Sequence, residues 1–494
     1  MGVIIKQSFW GTFIAYVGVI VGYVNTLYLR VEYFDFSQIG IFTLITAHAM
    51  MISPVSSFGM SSSYVRFFPS FEEKDKNKFF TFLFLITVVG NLLILLIGYS
   101  LREVIASRYV ETAPQYISYL SIIGIIIVAN SLFELFFSYS NTIKKVVFPS
   151  FLREVYLRLG SLSLVIGYAF NWWDFNSTII GLGVVYSLAF LLLFTQLFLI
   201  HNFRFDFHFG LITKEWKLKL LKFGSYAMLM AGSFAIINNV SYDQITAALG
   251  SEINGIFNTC FYIAVIVEMP KRNMAKIMSP ILSEEFSKGN MKEVGSLYKR
   301  SSITMSSIGL LLCIGIVTNL QDLFDFIPKG EELQIGFWVV IGVCLAKLAV
   351  MIFSFGGEVI NFSHHYKYNL YFQIGAAILL VALNYFLIPL WGLNGAVISY
   401  FTTVFLHLIA KALFVMNHFK IHPFVKSHMY LLGIGAIVGS LAFWLQPDFH
   451  PILNIIIRSA LTTIVFVIFI YRFNVSEDIN KLIRMAFGML GFKS

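Results

Sequence analysis

The residues best suited to chemistry stand inside oily surroundings. Gly255 to Val267 is largely apolar, and Ile277–Met278 is apolar again, yet between them lie Glu268, Pro270, Lys271, Arg272 and Lys276. Glu268, Arg272 and Lys276 are spaced i, i+4, i+8, so they share one helix face and Glu268 can pair with Arg272. Arg66, Lys347, Glu134, Glu358 and Asp243 are further charges in apolar runs, joined by His48, Asn25, Asn130, Asn238 and Asn239. A bare charge inside the membrane is costly, so such groups usually face a cavity or a partner. Carboxylates at membrane depth suit a coupling ion, because burial and neighbours set their proton affinity. On this reasoning Glu134, Glu268, Glu358 and Asp243 are the coupling candidates.

Each group also has a plainer reading. Arg66, Lys271 and Arg272 suit the cytoplasmic membrane edge, where long cationic side chains reach for the headgroups. Glu134 and Lys347 suit a structural ion pair, and His48 suits a hydrogen-bonded packing residue. Asn130, Ser138 and the serines at 61–63 fit ordinary helix–helix hydrogen bonds. His364–His365 lacks further ligands for a metal, and Cys260, Cys313 and Cys344 sit singly in apolar runs as small hydrophobes. There is no G-x-x-x-x-G-K phosphate loop, no H-E-x-x-H and no nucleophile elbow, so neither catalytic residues nor a cofactor nor a metal is expected.

The elements that must position these groups are membrane helices. Only 12% of the 494 residues are charged, against about 25% in soluble domains, and the mean hydropathy is +0.78. Spans of about 20 apolar residues are expected near 8–29, 39–64, 79–100, 115–140, 151–170 and 177–200, then near 219–241, 252–276, 301–320, 334–359, 368–388 and 393–415, and finally near 429–446 and 451–471. The fold class is therefore an all-α polytopic membrane protein with about fourteen transmembrane helices. The first run is too long for a signal-peptide core and lacks a small-residue cleavage site, which predicts a retained span.

Lysine and arginine gather on one side of these spans: Lys74, Lys76 and Lys78, Lys144 and Lys145, Lys214 to Lys222, Lys271 to Arg300, and Lys420 and Lys426. The other side carries Arg30, Arg102, Arg108 and Lys329 among several acids. The basic side is cytoplasmic by the positive-inside rule, which puts both termini in the cytoplasm. It also explains the net charge of +9 through anionic lipid, without nucleic acid. Trp10, Trp172, Trp173, Trp391 and Trp444 fall near span ends, at headgroup level. The alternating segment 202–209 is expected to lie along the inner surface, as is a tail helix with Ile479, Leu482, Ile483, Phe487 and Leu490 on one face, capped by Ser476.

The chain also repeats itself. KQSF (6–9) matches KFGS (222–225), Asn25 matches Asn239, and SQIGIF (37–42) matches SEINGIF (251–257), all at an offset of about 215 positions. An offset holding six spans inserts both copies the same way up, and such repeats place their substrate site at the interface between halves. The expected organisation is a lobe at 1–200, a linker at 201–218, a second lobe at 219–416, additional helices at 417–471 and a tail at 472–494. In both copies the second span is long, bent by proline (Pro54 and Pro69, Pro270 and Pro280) and basic toward its cytoplasmic end.

With these features, the KQSFWGT opening and the P-x-x-G-x-x-G-A turn in IPLWGLNGAVI (388–398), the sequence resembles the polysaccharide exporters of the MOP superfamily, relatives of the MATE exporters and of the lipid II flippase. The resemblance spans essentially the whole chain. It implies two six-helix lobes around a cavity, and the flipping of a polyprenyl-pyrophosphate-linked oligosaccharide from the inner to the outer leaflet of a bacterial cytoplasmic membrane. By the same resemblance, Arg66, Lys271, Arg272 and Lys347 would hold the pyrophosphate and Asn25 and Asn239 the sugar, with Lys271 and Arg272 facing Arg66 as a cationic funnel. Polysaccharide polymerase and chain-length proteins would be partners. A MATE-type antiporter would share the fold but rely on acids and aromatic walls. A membrane glycosyltransferase or polymerase would carry a large external loop, and a major-facilitator carrier would show a G-x-x-x-D-R motif where FEEKDKNK (71–78) stands.

Overall fold

The computed structural model describes residues 14, 17–200 and 203–489. The KQSFWGT opening with Trp10, Asn202 and Leu490 lie outside them. Every regular element among the described residues is helical, and eleven helices are long and apolar enough to cross a membrane. The chain is thus an all-α polytopic membrane protein. By its contacts it divides into two units, Met1–Asn258 and Thr259–Ser494.

In the first unit the helix at 17–33 widens to a π-turn at Val24–Leu29. The Phe36–Ser56 helix opens with a capping box, in which the Asp35 N–H donates to Gln38 Oε1 at 3.1 Å. The second span is not one bent helix. It stops at Ser56, turns through Phe58 and Gly59, both at positive φ, and restarts as Met60–Phe67. Pro54 withholds a backbone donor in the last turn. The left-handed turn then lets the chain pass the Lys214–Leu249 helix closely, since a Cβ on Gly59 would sit 2.4 Å from the Gly224 carbonyl. Beside it, Tyr64, Phe79, Phe80, Phe136 and Tyr139 build an aromatic core. The connecting segment 203–208 has no regular secondary structure, and it is fixed to that core by Phe203, buried against Phe80, Phe136 and Tyr139.

The two segments that the sequence pairs as copies touch each other. Ser37 Oγ and Ser251 Oγ are 2.7 Å apart, and Asn254 Nδ2 donates to the Gly40 carbonyl at 3.1 Å. A Cβ on Gly40 would fall 1.7 Å from the Ser251 carbonyl oxygen, and one on Gly255 would fall 2.0 Å from that of Phe36. Only glycine fits at either position.

In the second unit a 3-10 turn at Ile266–Glu268 leads into Met269–Ser287, with Pro270 in its first turn and Pro280 inside it. The expected span at 334–359 is two helices, Phe337–Phe353 and Gly356–Phe362, separated at Ser354 (φ 42°, ψ −116°). The chain turns there against the Tyr298 hydroxyl, which lies 2.6 Å from where a Gly356 Cβ would be. Lys367–Phe419 runs 53 residues and breaks at Gly392 (φ 57°, ψ −134°). The P-x-x-G-x-x-G-A turn has a local cause. Pro389 weakens the helix, Gly392 takes the positive φ, and Gly395 packs onto the Leu387 carbonyl, 2.0 Å from where its Cβ would be.

The helices Ser427–Trp444 and Pro451–Arg472 are held by Arg458. Its guanidinium donates to Asp322 Oδ2 at 2.5 Å and to the Thr318 and Leu445 carbonyls at 2.9 and 2.8 Å. Ser476 Oγ accepts from the Ile479 N–H at 3.4 Å at the start of Glu477–Met489. The three cysteines are buried and free.

Candidate functional site

The second unit gathers most of its membrane-depth charge around Glu268. Lys347 Nζ donates to Oε2 at 2.6 Å, and Arg272 Nε donates to Oε1 at 3.4 Å. The expected Glu268–Arg272 pair is present, but it is the longer of the two. The 3-10 turn at Ile266–Glu268 packs against Phe337–Phe353 and hands Glu268 to Lys347. The Lys347 side chain is only 5% exposed, and its Nζ lies 5.8 and 5.6 Å from the ring centres of Phe261 and Tyr400. Lys271 approaches Phe355 and acts electrostatically on Glu268, His407 and Lys411. Lys411 in turn lies within the field of Glu358, and its Nζ is 3.5 Å from where a Gly357 Cβ would start. Lys271, Arg272, Lys347 and Lys411 thus face Glu268 and Glu358. The cluster is cationic.

His407 and Lys411 escaped the sequence reading, although their i, i+4 spacing inside an otherwise apolar span was the signal for them. His364–His365 has a different environment from a metal site. His365 packs among Phe414, His418 and Phe419, and no group of metal-ligating side chains is found among the described residues.

The first unit has a cavity of about 440 Å³ lined by Ser61, Ser62, Arg66, Glu134, Asn141 and Arg153, with Phe137 and Phe223 beside them. Arg153 Nη2 lies 2.5 Å from both Glu134 oxygens, and its guanidinium lies 3.8 Å over the Phe137 ring. Arg66 stacks on Phe223 at 4.5 Å. Arg153 stands in the π-turn at Leu152–Tyr156.

A second group in this unit centres on Asp243. His48 Nε2 meets Oδ1 at 2.8 Å, Arg108 Nη2 donates to Oδ2 at 2.7 Å, and the Tyr109 hydroxyl donates to Oδ1. Tyr116 OH lies 2.7 Å from His48 Nδ1. Burial, with the Asp243 carboxylate beside it, pushes the Tyr109 hydroxyl far above its ordinary value, so it remains a donor. A cavity of about 850 Å³ adjoins this group.

The asparagine candidates have local partners. Asn25 Nδ2 donates to Ser161 Oγ at 3.2 Å, and Asn239 Nδ2 to the Ala235 carbonyl of its own helix at 2.9 Å. Asn130 Nδ2 donates to Ser53 Oγ at 2.8 Å, the helix–helix hydrogen bond given as its plainer reading.

No protein-family model and no curated protein matches the sequence. Solved structures do match the fold. A structure described as lipid II flippase MurJ, inward closed conformation, aligns over 94% of this chain and 98% of its own, at 14% identity and a TM-score of 0.78. An inward-facing multidrug resistance MATE family transporter of the MOP superfamily aligns over 82% and 94%, at 13% identity and a TM-score of 0.63. A MOP superfamily transporter from Pyrococcus furiosus, described as having a binding pocket of reversed polarity, aligns over 84% and 94%, at 10% identity and a TM-score of 0.58. The chain therefore has the fold that MurJ shares with the MATE transporters of the MOP superfamily.

Proposed function

We propose that this chain is a flippase that moves a polyprenyl-pyrophosphate-linked oligosaccharide from the inner to the outer leaflet of a bacterial cytoplasmic membrane by alternating access. The observation that carries the reading is the cationic surplus of Lys271, Arg272, Lys347 and Lys411 over Glu268 and Glu358, in a fold whose likest match given above is named a lipid II flippase. A bare charge at a helix centre costs about 2.5–3.5 kcal/mol on insertion scales, so such groups persist where a partner or cargo needs them. An anionic pyrophosphate is the cargo chemistry that a surplus of cations favours. The hydroxyls and amide beside Arg66 and Arg153 suit sugar groups. The same surplus weighs against a cationic drug as cargo.

Fourteen spans fit this reading: the eleven long helices, one more from the break at Gly392, the helix at 17–33, and the interrupted helix at 147–169. Two lobes of six, two added helices and cytoplasmic termini complete it. Polymerase and chain-length proteins would then act next on the flipped product.

The test is flipping of a fluorescent polyprenyl-diphosphate-linked sugar in proteoliposomes, together with surface polysaccharide in the source cell. Arg66→Ala and Arg272→Ala should each lower the rate at least about tenfold, the equivalent of one charge-assisted contact of roughly 1.4 kcal/mol, with normal protein levels. Arg272→Lys should recover only part, since a point charge lacks the bidentate fork. Unchanged flipping in the Arg66→Ala, Arg272→Ala double variant would sink the reading.

A further inference from the structure

The group around Asp243 does work that the cargo reading does not need. It joins three separate elements by side chains alone: His48 from Phe36–Ser56, Asp243 from Lys214–Leu249, and Arg108 and Tyr109 from the helix Arg102–Tyr109. Tyr116, from the 3-10 turn Pro114–Tyr119, completes it at His48 Nδ1. One carboxylate therefore accepts from two potential cations. Arg108 is always charged, whereas His48 is charged only when it holds a second proton.

We infer that His48 is a proton-binding site, and that its proton competes with Arg108 for Asp243 and so leaves the Arg102–Tyr109 helix held there by the Tyr109 hydroxyl alone. With neutral His48, Nε2–H donates to Asp243 and Nδ1 accepts from the Tyr116 hydroxyl. The Arg108–Asp243 pair is then balanced. A proton reaching Nδ1 turns the Tyr116 hydroxyl from donor to acceptor, and both His48 bonds survive. The charge does not survive balanced, because two cations now share one carboxylate at membrane depth, where an unpaired charge is costly.

The side chains differ in which can leave. Arg108 is 49% exposed, on a short helix that is not among the membrane-spanning candidates, while Asp243 is 13% and His48 15% exposed. Arg108 swings to solvent, and the His48–Asp243 pair stays behind as a neutral unit. The cavity of about 850 Å³ reaches His48 and Asp243 and is rimmed by Arg102, Glu103 and Tyr99, so it supplies the path for the proton. Arg102 and Glu103 are the other charges that face it, and His48 has no charged neighbour on its own helix.

The consequence for transport rests on the flippase reading, but the site is measured without cargo. Val104 and Ala248 are both exposed, on Arg102–Tyr109 and on the end of Lys214–Leu249. Spin labels on V104C and A248C, with Cys260, Cys313 and Cys344 replaced by alanine, report the distance between these elements by pulsed electron resonance. Full-length protein in nanodiscs is compared at about pH 8 and about pH 5.5, either side of the range in which histidine gains its charge. The expected result is a short, narrow distribution at the higher pH that lengthens and broadens at the lower. His48→Gln keeps a donor for Asp243 and cannot take the proton, so it should stay short at both. Asp243→Asn removes the anchor and should be long at both.

An identical distribution at the two pH values in the parent protein overturns the inference, as does a pH shift that persists in His48→Gln. An Asp243→Asn distribution as short as the parent's overturns it too. A shift that is abolished by His48→Gln, in a protein that fails to flip the lipid-linked sugar, supports the proton site and rejects the flippase reading.

Discussion

At the scale of single residues, the energetics are dominated by charges that cannot be left alone. Lys347 and Glu268 are 5% and 18% exposed, so each depends on the other for its solvation. Breaking a buried pair by truncating one partner costs about 3–5 kcal/mol, because the remaining charge is uncompensated, while replacing both partners by neutral groups is close to neutral. Lys347→Ala should therefore lower the melting temperature in detergent clearly, with Arg272, more exposed and at 3.4 Å, limiting the loss to about 3 kcal/mol. The Glu268→Gln, Lys347→Met double variant should recover most of that stability and none of the transport. A Lys347→Ala protein that melts like the parent would show that the pair is not buried as described. The sequence made Glu268, Lys347 and Asp243 legible as candidates, since a charge in an apolar run is visible to the eye. It could not make their partners legible. Whether Glu268 reaches Arg272 four residues on or Lys347 far down the chain depends on a single 3-10 turn. That Glu134 meets Arg153 depends on helix packing that no local spacing encodes.

At the scale of elements, glycines decide where helices approach and where they end. Gly40 and Gly255 leave no room for a Cβ, and the obstructing atoms are backbone carbonyls that cannot turn aside. Gly98 also lies in a helix, Glu73–Ser100, but with nothing within 4 Å of its would-be Cβ. Alanine favours a helix over glycine by about 1 kcal/mol, while overpacking costs about 1–3 kcal/mol or more. Gly98→Ala should thus be neutral or slightly stabilising, and Gly40→Ala and Gly255→Ala should each lower the melting temperature. Equal effects at all three positions would mean that the crossing is looser than the distances state. Helix existence was readable from hydropathy almost throughout. The interruptions at Phe58–Gly59 and Ser354 were not, because each is a response to a neighbour: the Lys214–Leu249 helix in one case, Tyr298 in the other. Pro54 and Pro270 signalled only that a break was near.

At the scale of the whole molecule, the sidedness of lysine and arginine fixes an experiment. Single cysteines at Lys74, Lys214 and Lys292, introduced in the cysteine-free background, should be protected from an impermeant maleimide in intact cells, and one at Glu331 should be labelled. Labelling from outside in the segment 203–218 would break the arrangement of two parallel copies. Against the fourteen spans expected, eleven helices among the described residues are long and apolar enough to cross a membrane. The helix at 147–169 is cut into short pieces by its π-turn, so its length is clearer from the sequence's run of apolar residues than from any single helical segment.

The contact between Ser37–Gly40 and Ser251–Gly255 also bears on how this chain was inherited. There a segment touches its own copy, each glycine standing where the other segment's main chain leaves no room. In a pair of identical chains, a single codon would have kept both sides of such a contact open. In one chain the same clearance requires two independent glycines, each against a main-chain obstacle that no compensating side-chain change can move. This point is locked by geometry, which is why a repeat otherwise so worn is still recognisable in SQIGIF and SEINGIF.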